Sequence, residues 1–463
     1  MLTQRPPDPV ASRGAYWPRP WTCEDGGPRR WGVPFGQPGL GIEPGERLEV
    51  AAARDAFATD VLVRREPGEL YALRHDVPLR GAVQSTPVEG WVERLDPQTL
   101  EVTAATPRLP GGAWWPGGLA AHACGDLHMV FGRWAHRLSP GLDVLASHRL
   151  PVPRPHNSFV VLEGGELVTK DCDAPAGREP STVSVLDPET LLPVAAPLRL
   201  PEPAIARLSS DGESVIAIGT TTAFRLRLDR DAECVVVDDE WRPRYGPAPD
   251  RSYGWDPVIT DDHVFWMDNG RNSTDRTMLA SGEQASPVRL WWAPHDEGEA
   301  RSVEISGRPY GTESNPPAWD PERAIVVAYD AGNAVVRAWR VEGDELEPLW
   351  RRDELAHAGH LILYPDTREL VVGDWRDIAA LRRPLPRRLM AAAGPLLARV
   401  ASASAPSLSL GHDELVVLDL DSGEEKARVA VPSPTQGFLF SAPGFGRDLY
   451  YQSMTTVARV AVV

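Results

Sequence analysis

The chain has 463 residues and a formal net charge of −17, with 42% hydrophobic and 24% charged residues. This composition is that of a soluble globular protein, and the acidic balance argues against a nucleic-acid-binding surface. The sequence has no run of about 18 or more apolar residues, the length that a membrane-spanning helix needs.

The first 45 residues lack hydrophobic periodicity and an apolar leader segment. We therefore expect an irregular arm that lies across the rest of the molecule, and no secretory signal. The four cysteines (Cys23, Cys124, Cys172 and Cys234) are far apart and form no C-x-x-C pair. This spacing predicts isolated thiols in a cytoplasmic protein.

From residue 46 onward, one unit returns seven or eight times: an apolar strand, a turn, a second strand ending in a polar residue, and one or two outer strands. From His156 to His360 the repeats begin roughly 45 to 60 residues apart, which is the period of a four-stranded propeller blade. The sequence therefore predicts an all-β fold in which residues 46–463 form a single closed β-propeller, with eight blades favoured over seven. The predicted blades begin near Asp60, Gly118, His156, Ala204, Trp255, Asn315, His360 and Gln436.

The last unit shows only three strands before the chain ends at Val463. A ring closes without exposed sheet edges when an N-terminal strand completes the last blade. Residues Glu46 to Ala53 form the nearest unassigned strand, so we expect them to supply the fourth strand of the C-terminal blade.

One insertion interrupts the repeat between Trp375 and Glu414. Residues 387–400 are rich in strong helix formers and in arginine, so residues 376–412 are predicted to contain a helix within a late blade. Three roles remain open: a helix packed on the ring, a lid over the channel mouth, or peripheral contact with a membrane through residues 384–400.

Two Asp-Pro-x-Thr-Leu turns, Asp96 to Leu100 and Asp187 to Leu191, join predicted outer strands. These turns and the strand pairs around them resemble those of the quinoprotein-like bacterial propellers, also described as PQQ-binding-like repeat proteins. The resemblance covers most of residues 55–463 and implies the fold, whereas chemistry does not carry across such a superfamily. The secretion signal, the regular tryptophan-docking motifs and the vicinal disulfide of quinoprotein dehydrogenases are not visible here, so a PQQ cofactor is not expected.

In a propeller, the start of the first strand and the end of the second strand of every blade lie on the same face. In this sequence those positions are mostly His, Asn, Asp, Gln or Trp, which predicts a ligand pocket at one mouth of the channel. The candidate catalytic residues are His156, His360, Asp256, Lys170 and Asp171. The candidate substrate-binding residues are Asn157, Trp255, Asn315, Gln436, Asp268, Asp330, Asp374 and Trp115.

Imidazole, carboxylate and amide groups together also suit a divalent metal, for which His156, His360, Asp256 and Asn315 are the candidate ligands. Lactonase and arylesterase propellers resemble this arrangement, with a calcium ion held by several blades. The leading hypothesis is an enzyme that acts on a small molecule by His/Asp acid–base chemistry, with or without a metal, in a hydrolysis, isomerisation or cyclisation. The alternatives are a non-catalytic propeller that binds a ligand or a protein, and a redox enzyme with an organic cofactor.

Overall fold

The computed structural model describes residues 15–76, 88–113, 115–173, 179–246, 253–268, 286–309, 311–312, 315–377, 411–437 and 440–463. These residues form eight antiparallel sheets that follow one another along the chain as the blades of a propeller. The all-β, eight-bladed prediction is confirmed, and the seven-bladed alternative is not.

Blades 1 to 4 follow one another from Thr59 to Val237. Blade 1 contains β2 (Thr59–Arg64), β3 (Leu70–His75), β4 (Val88–Leu95) and β5 (Val102–Ala105), with β6 (Leu109–Gly112) also paired to β4. Blade 2 contains β7 (Gly118–Ala121), β8 (Leu127–Phe131), β9 (Trp134–Leu138) and β10 (Val144–Arg149). Blade 3 contains β11 (His156–Val161), β12 (Leu167–Asp171), β13 (Thr182–Leu186) and β14 (Leu198–Arg199). Blade 4 contains β15 (Ser209–Ser210), β16 (Ser214–Ile218), β17 (Ala223–Asp229) and β18 (Cys234–Val237).

Blades 5 to 8 complete the ring. Blade 5 contains β19 (Val258–Ile259), β20 (His263–Met267), β21 (Arg289–Pro294) and β22 (Arg301–Glu304). Blade 6 contains β23 (Ala318–Asp320), β24 (Ile325–Asp330), β25 (Val335–Glu342) and β26 (Glu345–Arg352). Blade 7 contains β27 (Ile362–Tyr364), β28 (Glu369–Asp377), β29 (Gly411–Asp419) and β30 (Glu425–Val431). Blade 8 contains β31 (Ala442–Pro443), β32 (Asp448–Gln452), β33 (Thr456–Val462) and β1 (Leu48–Asp55).

The ring closes through blade 8, where β1 pairs antiparallel with β33. Leu48 lies opposite Val462 and Asp55 lies opposite Thr456, so almost the whole length of the N-terminal strand is paired. This strand occupies the place predicted for residues Glu46 to Ala53, and it joins the two ends of the chain in one sheet.

The hairpin turns between the third and fourth strands are held by aspartate side chains, as their sequences indicate. Asp96 Oδ1 accepts hydrogen bonds from the backbone N–H groups of Gln98 and Thr99, at 2.9 and 2.8 Å. Asp187 and Asp419 make the same pair of bonds in blades 3 and 7. An aspartate at the first position of such a turn satisfies backbone donors that the strands leave unpaired.

The predicted insertion leaves blade 7 between its second and third strands, where Asp377 lies opposite Gly411. The expected helix within residues 376–412 lies outside the described residues. Two short 3-10 turns are described, Glu24–Gly26 and Ala331–Asn333. Within the described part of the chain, no helix is long and apolar enough to cross a membrane.

The N-terminal arm bonds to the innermost strands of six blades at the face where those strands end. Its Trp21, Trp31 and Val33 side chains are buried in the hydrophobic core. Because buried backbone groups must be paired, these bonds fix the arm against the ring. The ring residues whose backbone N–H groups donate to arm carbonyl groups are Arg64, Ala121, Ser210, Ile259, Trp319 and Leu363.

Candidate functional site: a charge cluster in the channel

The arm enters the channel at the 3-10 turn Glu24–Gly26. Asp25 has φ 54° and Gly26 has φ 77°, so the chain reverses sharply there. A Cβ atom at Gly26 would lie 2.5 Å from the Val33 carbonyl oxygen, which leaves glycine as the residue that fits. The turn directs two carboxylates, Glu24 and Asp25, into the interior of the ring, where both are buried.

Each carboxylate meets a polar side chain from the ring. Asp25 Oδ1 lies 2.5 Å from His360 Nδ1, at the start of blade 7. The Ser158 hydroxyl of blade 3 donates to Glu24 Oε1 at 2.7 Å. Arg30 of the arm lies between the two acids, with Nη1 at 2.8 Å from Asp25 Oδ2 and 3.0 Å from Glu24 Oε2.

Blades 4 and 5 complete the group with Arg207 and Asp256. Arg207 Nε lies 3.4 Å from Glu24 Oε2, and its Nη1 lies 3.7 Å from Asp256 Oδ2. The backbone N–H of Arg207 donates to Asp256 Oδ1 at 2.6 Å. The channel cluster is therefore a single charge network that joins the arm to blades 4, 5 and 7, and its members are Glu24, Asp25, Arg30, Arg207, Asp256 and His360.

The charges of the channel cluster compensate one another. Burial raises the pKa of Glu24, although Arg30 and Arg207 act in the opposite direction. Burial would also raise the pKa of Asp25, but the charges and hydrogen bonds of His360 and Arg30 outweigh it and lower that pKa. Carboxylates buried this deeply are stable only when paired, so the arm and the ring depend on each other electrostatically.

Little free volume remains at the tip of the arm. The space beside Glu24, Arg30 and Ser158 is about 10 Å³, which is room for one water molecule. Phe440 lies against the cluster, with its ring centroid 3.8 Å from that of His360 and 4.6 Å from the Arg207 guanidinium carbon. This space does not fit an organic cofactor the size of a quinone.

Three predicted catalytic residues lie together in blade 3. The ammonium group of Lys170 donates to the Ala204 carbonyl oxygen at 2.6 Å and to Asn157 Oδ1 at 3.2 Å. Burial lowers the pKa of Lys170 to about 8, against the effect of Asp171 and other acidic neighbours. Burial lowers the pKa of His156 to about 4, and its Nδ1 lies 3.2 Å from the Gly132 carbonyl oxygen of blade 2. His156 lies opposite Asp171 in the sheet.

The aspartates predicted at the ends of second strands bind backbone N–H groups nearby. Asp171 Oδ1 accepts from Thr182, Asp268 Oδ1 from Arg289, and Asp374 Oδ1 from Ala356, at 2.6, 3.2 and 3.1 Å. Asp330 Oδ1 accepts from Thr312 at 3.2 Å, and burial raises its pKa. These contacts order the loops at the rim of the channel.

The predicted amide side chains bond to neighbouring blades. Asn315 Nδ2 donates to the Ala358 carbonyl oxygen and Gln436 Nε2 to the Ala356 carbonyl oxygen, both at 2.6 Å. Asn157 Nδ2 donates to Ile205 in blade 4. The ring centroids of Trp255 and Tyr253 are 5.5 Å apart with the rings tilted by 34°, and Trp115 packs against the same apolar cluster. These side chains fasten one blade to the next, which a propeller needs at the narrow end of each sheet.

The structure thus brings His360 and Asp256 into one network and places Lys170 and Asn157 beside it. The contacts of His156, Asp330, Asp374 and Gln436 described above are with the backbone of their own or adjacent blades. Across the residues that the structure describes, no three His, Cys, Asp or Glu side chains are grouped so as to hold a metal ion.

Sequence reasoning missed Glu24, Asp25, Arg30 and Arg207. The only local signal is an acid pair directly before two glycines, at Glu24 to Gly27, in an arm that is otherwise rich in proline and tryptophan. Acidic side chains are seldom buried unless they are paired, so an acid pair within an apolar segment indicates carboxylates that are buried against basic or polar partners.

Solved structures share this fold at low sequence identity. The quinohemoprotein alcohol dehydrogenase from Comamonas testosteroni superposes with a TM-score of 0.59 at 10% identity, over 96% of this chain and 81% of that protein. BamB from Moraxella catarrhalis gives a TM-score of 0.50 at 13% identity, over 90% of this chain and 97% of its own. The predicted resemblance to the quinoprotein-like propellers is therefore confirmed at the level of the fold, and identities this low show the fold alone.

No family model matches the chain. A stretch of 132 residues, 27% of this chain, is 30% identical to THO complex subunit 3 from Arabidopsis thaliana. The match spans 38% of that relative, well under half of its length.

Proposed function

We propose that this protein is a non-catalytic propeller that binds a protein partner on its outer surface. The observation that carries the proposal is the channel cluster itself: the arm's own carboxylates, Glu24 and Asp25, are buried inside the ring and paired with charged groups of the protein. Several predicted rim side chains bond to backbone groups of their own or adjacent blades, which supports a structural role for them. The partial similarity to a protein named as a complex subunit supports an assembly function.

A ligand screen by thermal unfolding tests this proposal on the full chain. A small molecule that binds the folded state raises its stability by about 2.7 kcal/mol at 100 times its Kd. We expect no shift in unfolding temperature from polar metabolites, and we expect a photo-cross-linker placed on the outer strands to capture a protein from cell extract. A metabolite that stabilises the wild type but not His360→Gln would overturn the proposal.

A second candidate is the small-molecule enzyme, favoured by the His360–Asp25 pair. His360 Nδ1 is bonded to a carboxylate, while its Nε2 has no hydrogen-bond partner among the described residues. This is how a general base is oriented, and Lys170, whose pKa burial lowers to about 8, is a second candidate for proton transfer. Turnover of lactones or esters that is lost in His360→Gln, at an unchanged unfolding temperature, would establish this function in place of the first.

The redox alternative rests on fold similarity to a quinohemoprotein alone. A visible absorption spectrum of the purified chain tests it directly. We also propose a cytoplasmic location, for which the spacing of the cysteines is the reason; fractionation of cells that express the tagged chain is the test.

A further inference from the structure

The most exposed large apolar side chains of the described residues occupy one recurring position in the ring. Apart from the C-terminal Val463, they lie just after the hairpin turn between the third and fourth strands of blades 1 to 4, and they are between 39% and 53% exposed. They are Val102 in blade 1, Val144 and Leu145 in blade 2, Leu192 in blade 3 and Val236 in blade 4. Because each comes from the same place in its repeat, they form a row along the outer rim of four consecutive blades.

The corresponding positions of blades 5, 6 and 7 are charged. Strand β22 begins with Arg301, β26 with Glu345 and β30 with Glu425. Charged residues on outer strands prevent sheet edges from pairing with other chains. Blades 5, 6 and 7 therefore have this protection, whereas blades 1 to 4 have apolar side chains at the corresponding positions.

The hairpins that carry the apolar row are also acidic. Exposed carboxylate side chains flank the apolar residues in all four blades, whereas two nearby arginines are paired within the protein: Arg230 with Glu166 at 2.7 Å and Arg137 with Asp126 at 2.6 Å. Three exposed arginines also lie on these strands, Arg149, Arg199 and Arg227, the last directly opposite Val236. The five exposed acids of the hairpins outnumber them, so the rim has an excess of negative charge beside its apolar side chains. The exposed acids are Glu101, Asp143, Glu189, Asp231 and Glu233.

We propose that this rim, defined by Val102, Val144, Leu145, Leu192 and Val236, is a docking surface for an extended protein segment in which apolar and basic residues alternate. Strands β5 and β10 stand at the outer end of their sheets, where their backbone groups can pair with an added strand. Apolar residues of the segment would cover the exposed row, and its lysines or arginines would meet the acidic hairpins. The inference rests on the proposed protein-binding function and assigns a place to it.

The acidic rim also selects among partners. A second copy of this chain carries the same net charge of −17, and an anionic lipid surface is negative as well, so both are repelled. A basic segment is attracted, and its binding must weaken as salt screens the charges.

Fluorescence anisotropy with a labelled twelve-residue peptide of alternating lysine and valine tests the proposal. The rim variant replaces all five apolar residues by serine, and Val463→Ser is its control because Val463 is also apolar and is 50% exposed. We expect the rim variant to weaken binding at least tenfold at an unchanged unfolding temperature, and Val463→Ser to bind as the wild type does. Equal affinity of the wild type and the rim variant would overturn the docking surface.

A second pair of variants tests the charge. Glu101→Gln, Glu189→Gln and Glu233→Gln together should weaken binding at low salt, whereas Glu342→Gln, Glu345→Gln and Glu347→Gln in blade 6 should not. Equal effects of the two triple variants, or equal binding of a glutamate–valine peptide, would refute charge complementarity. If the wild type binds phosphatidylglycerol vesicles and the rim variant does not, the ligand of the rim is a membrane surface and the proposed protein segment is wrong.

The two proposals fail in different ways. If the rim variant still binds the partner that the wild type captures from cell extract, the docking surface is wrong while the protein-binding function stands. If a metabolite binds in the channel and no protein is captured, the function itself is wrong.

Discussion

Replacement of Arg30 by methionine should destabilise the protein far more than replacement of its neighbour Arg29. The Arg30 side chain is 3% exposed and pairs with Glu24 and Asp25, which are 5% and 2% exposed. Methionine keeps the apolar stem and removes the charge, so two buried carboxylates lose their shared partner. Removal of one member of a buried ion pair costs about 3–5 kcal/mol, so we expect a loss of that size in the free energy of unfolding.

Arg29→Met is the matched control in the same arm. Arg29 pairs with Asp261, whose side chain is 73% exposed, and an exposed pair contributes about 1 kcal/mol or less. Urea unfolding followed by tryptophan fluorescence gives both values from the shift in the midpoint of the transition. Equal losses in the two variants would refute the reasoning, because they would show that the channel cluster does not hold the arm.

The pH dependence gives a second check on Arg30→Met. Without Arg30, the pKa of the buried Glu24 carboxyl rises further above its unfolded value, and the folded state binds a proton more tightly than the unfolded state. Stability from such a group is present at acid pH and is lost as the pH rises through the folded pKa. The deficit of the variant should therefore be smaller at pH 5 than at pH 8, and a deficit that is the same at both would contradict the assignment to Glu24.

Three further predictions concern the buried His156, the buried Asp413 and the register of the two closing strands. Burial lowers the pKa of the His156 imidazole to about 4, so the ring should stay neutral from pH 8 to pH 5 in an NMR titration. The stability that the neutral ring contributes should be lost as the pH falls from 6.5 towards 4, and titration near 6.5 would contradict its burial. Burial raises the pKa of Asp413 to about 7, so the wild type should lose up to about 1.4 kcal/mol of stability per pH unit as the pH rises from 4 to 7. Asp413→Asn should abolish this pH dependence, which urea midpoints measure at each pH. An unchanged slope in the variant would be evidence against Asp413 as its source. Ala53 lies opposite Ala458 across the closing strands β1 and β33. The double variant Ala53→Cys with Ala458→Cys should therefore form a disulfide, whereas Ala52→Cys with Ala458→Cys should not. Cross-linking of both pairs alike would argue against this register.

The repeats and their turns could be predicted from the sequence because the strands of a blade are joined by local contacts. The Asp96 and Asp187 turns fix hairpins within a few residues, and the apolar strands between them recur at the blade period. The residue types predicted polar side chains at the rim of the channel, but they did not predict the partners of those side chains. Asn315 and Gln436 donate to the backbone of a neighbouring blade, and which carbonyl group each one reaches depends on how the blades pack.

The sequence alone predicted a closed ring of seven or eight blades, with eight favoured and the N-terminal strand completing the last blade, because strand periodicity and turn chemistry act over short distances. The charge network inside the ring became apparent only in the folded structure. Asp25 and His360 are 335 residues apart in the chain and 2.5 Å apart in the fold. The arm has no repeat that would align its acids with the ring, and the pairing of buried charges depends on distances in space rather than on spacing in sequence.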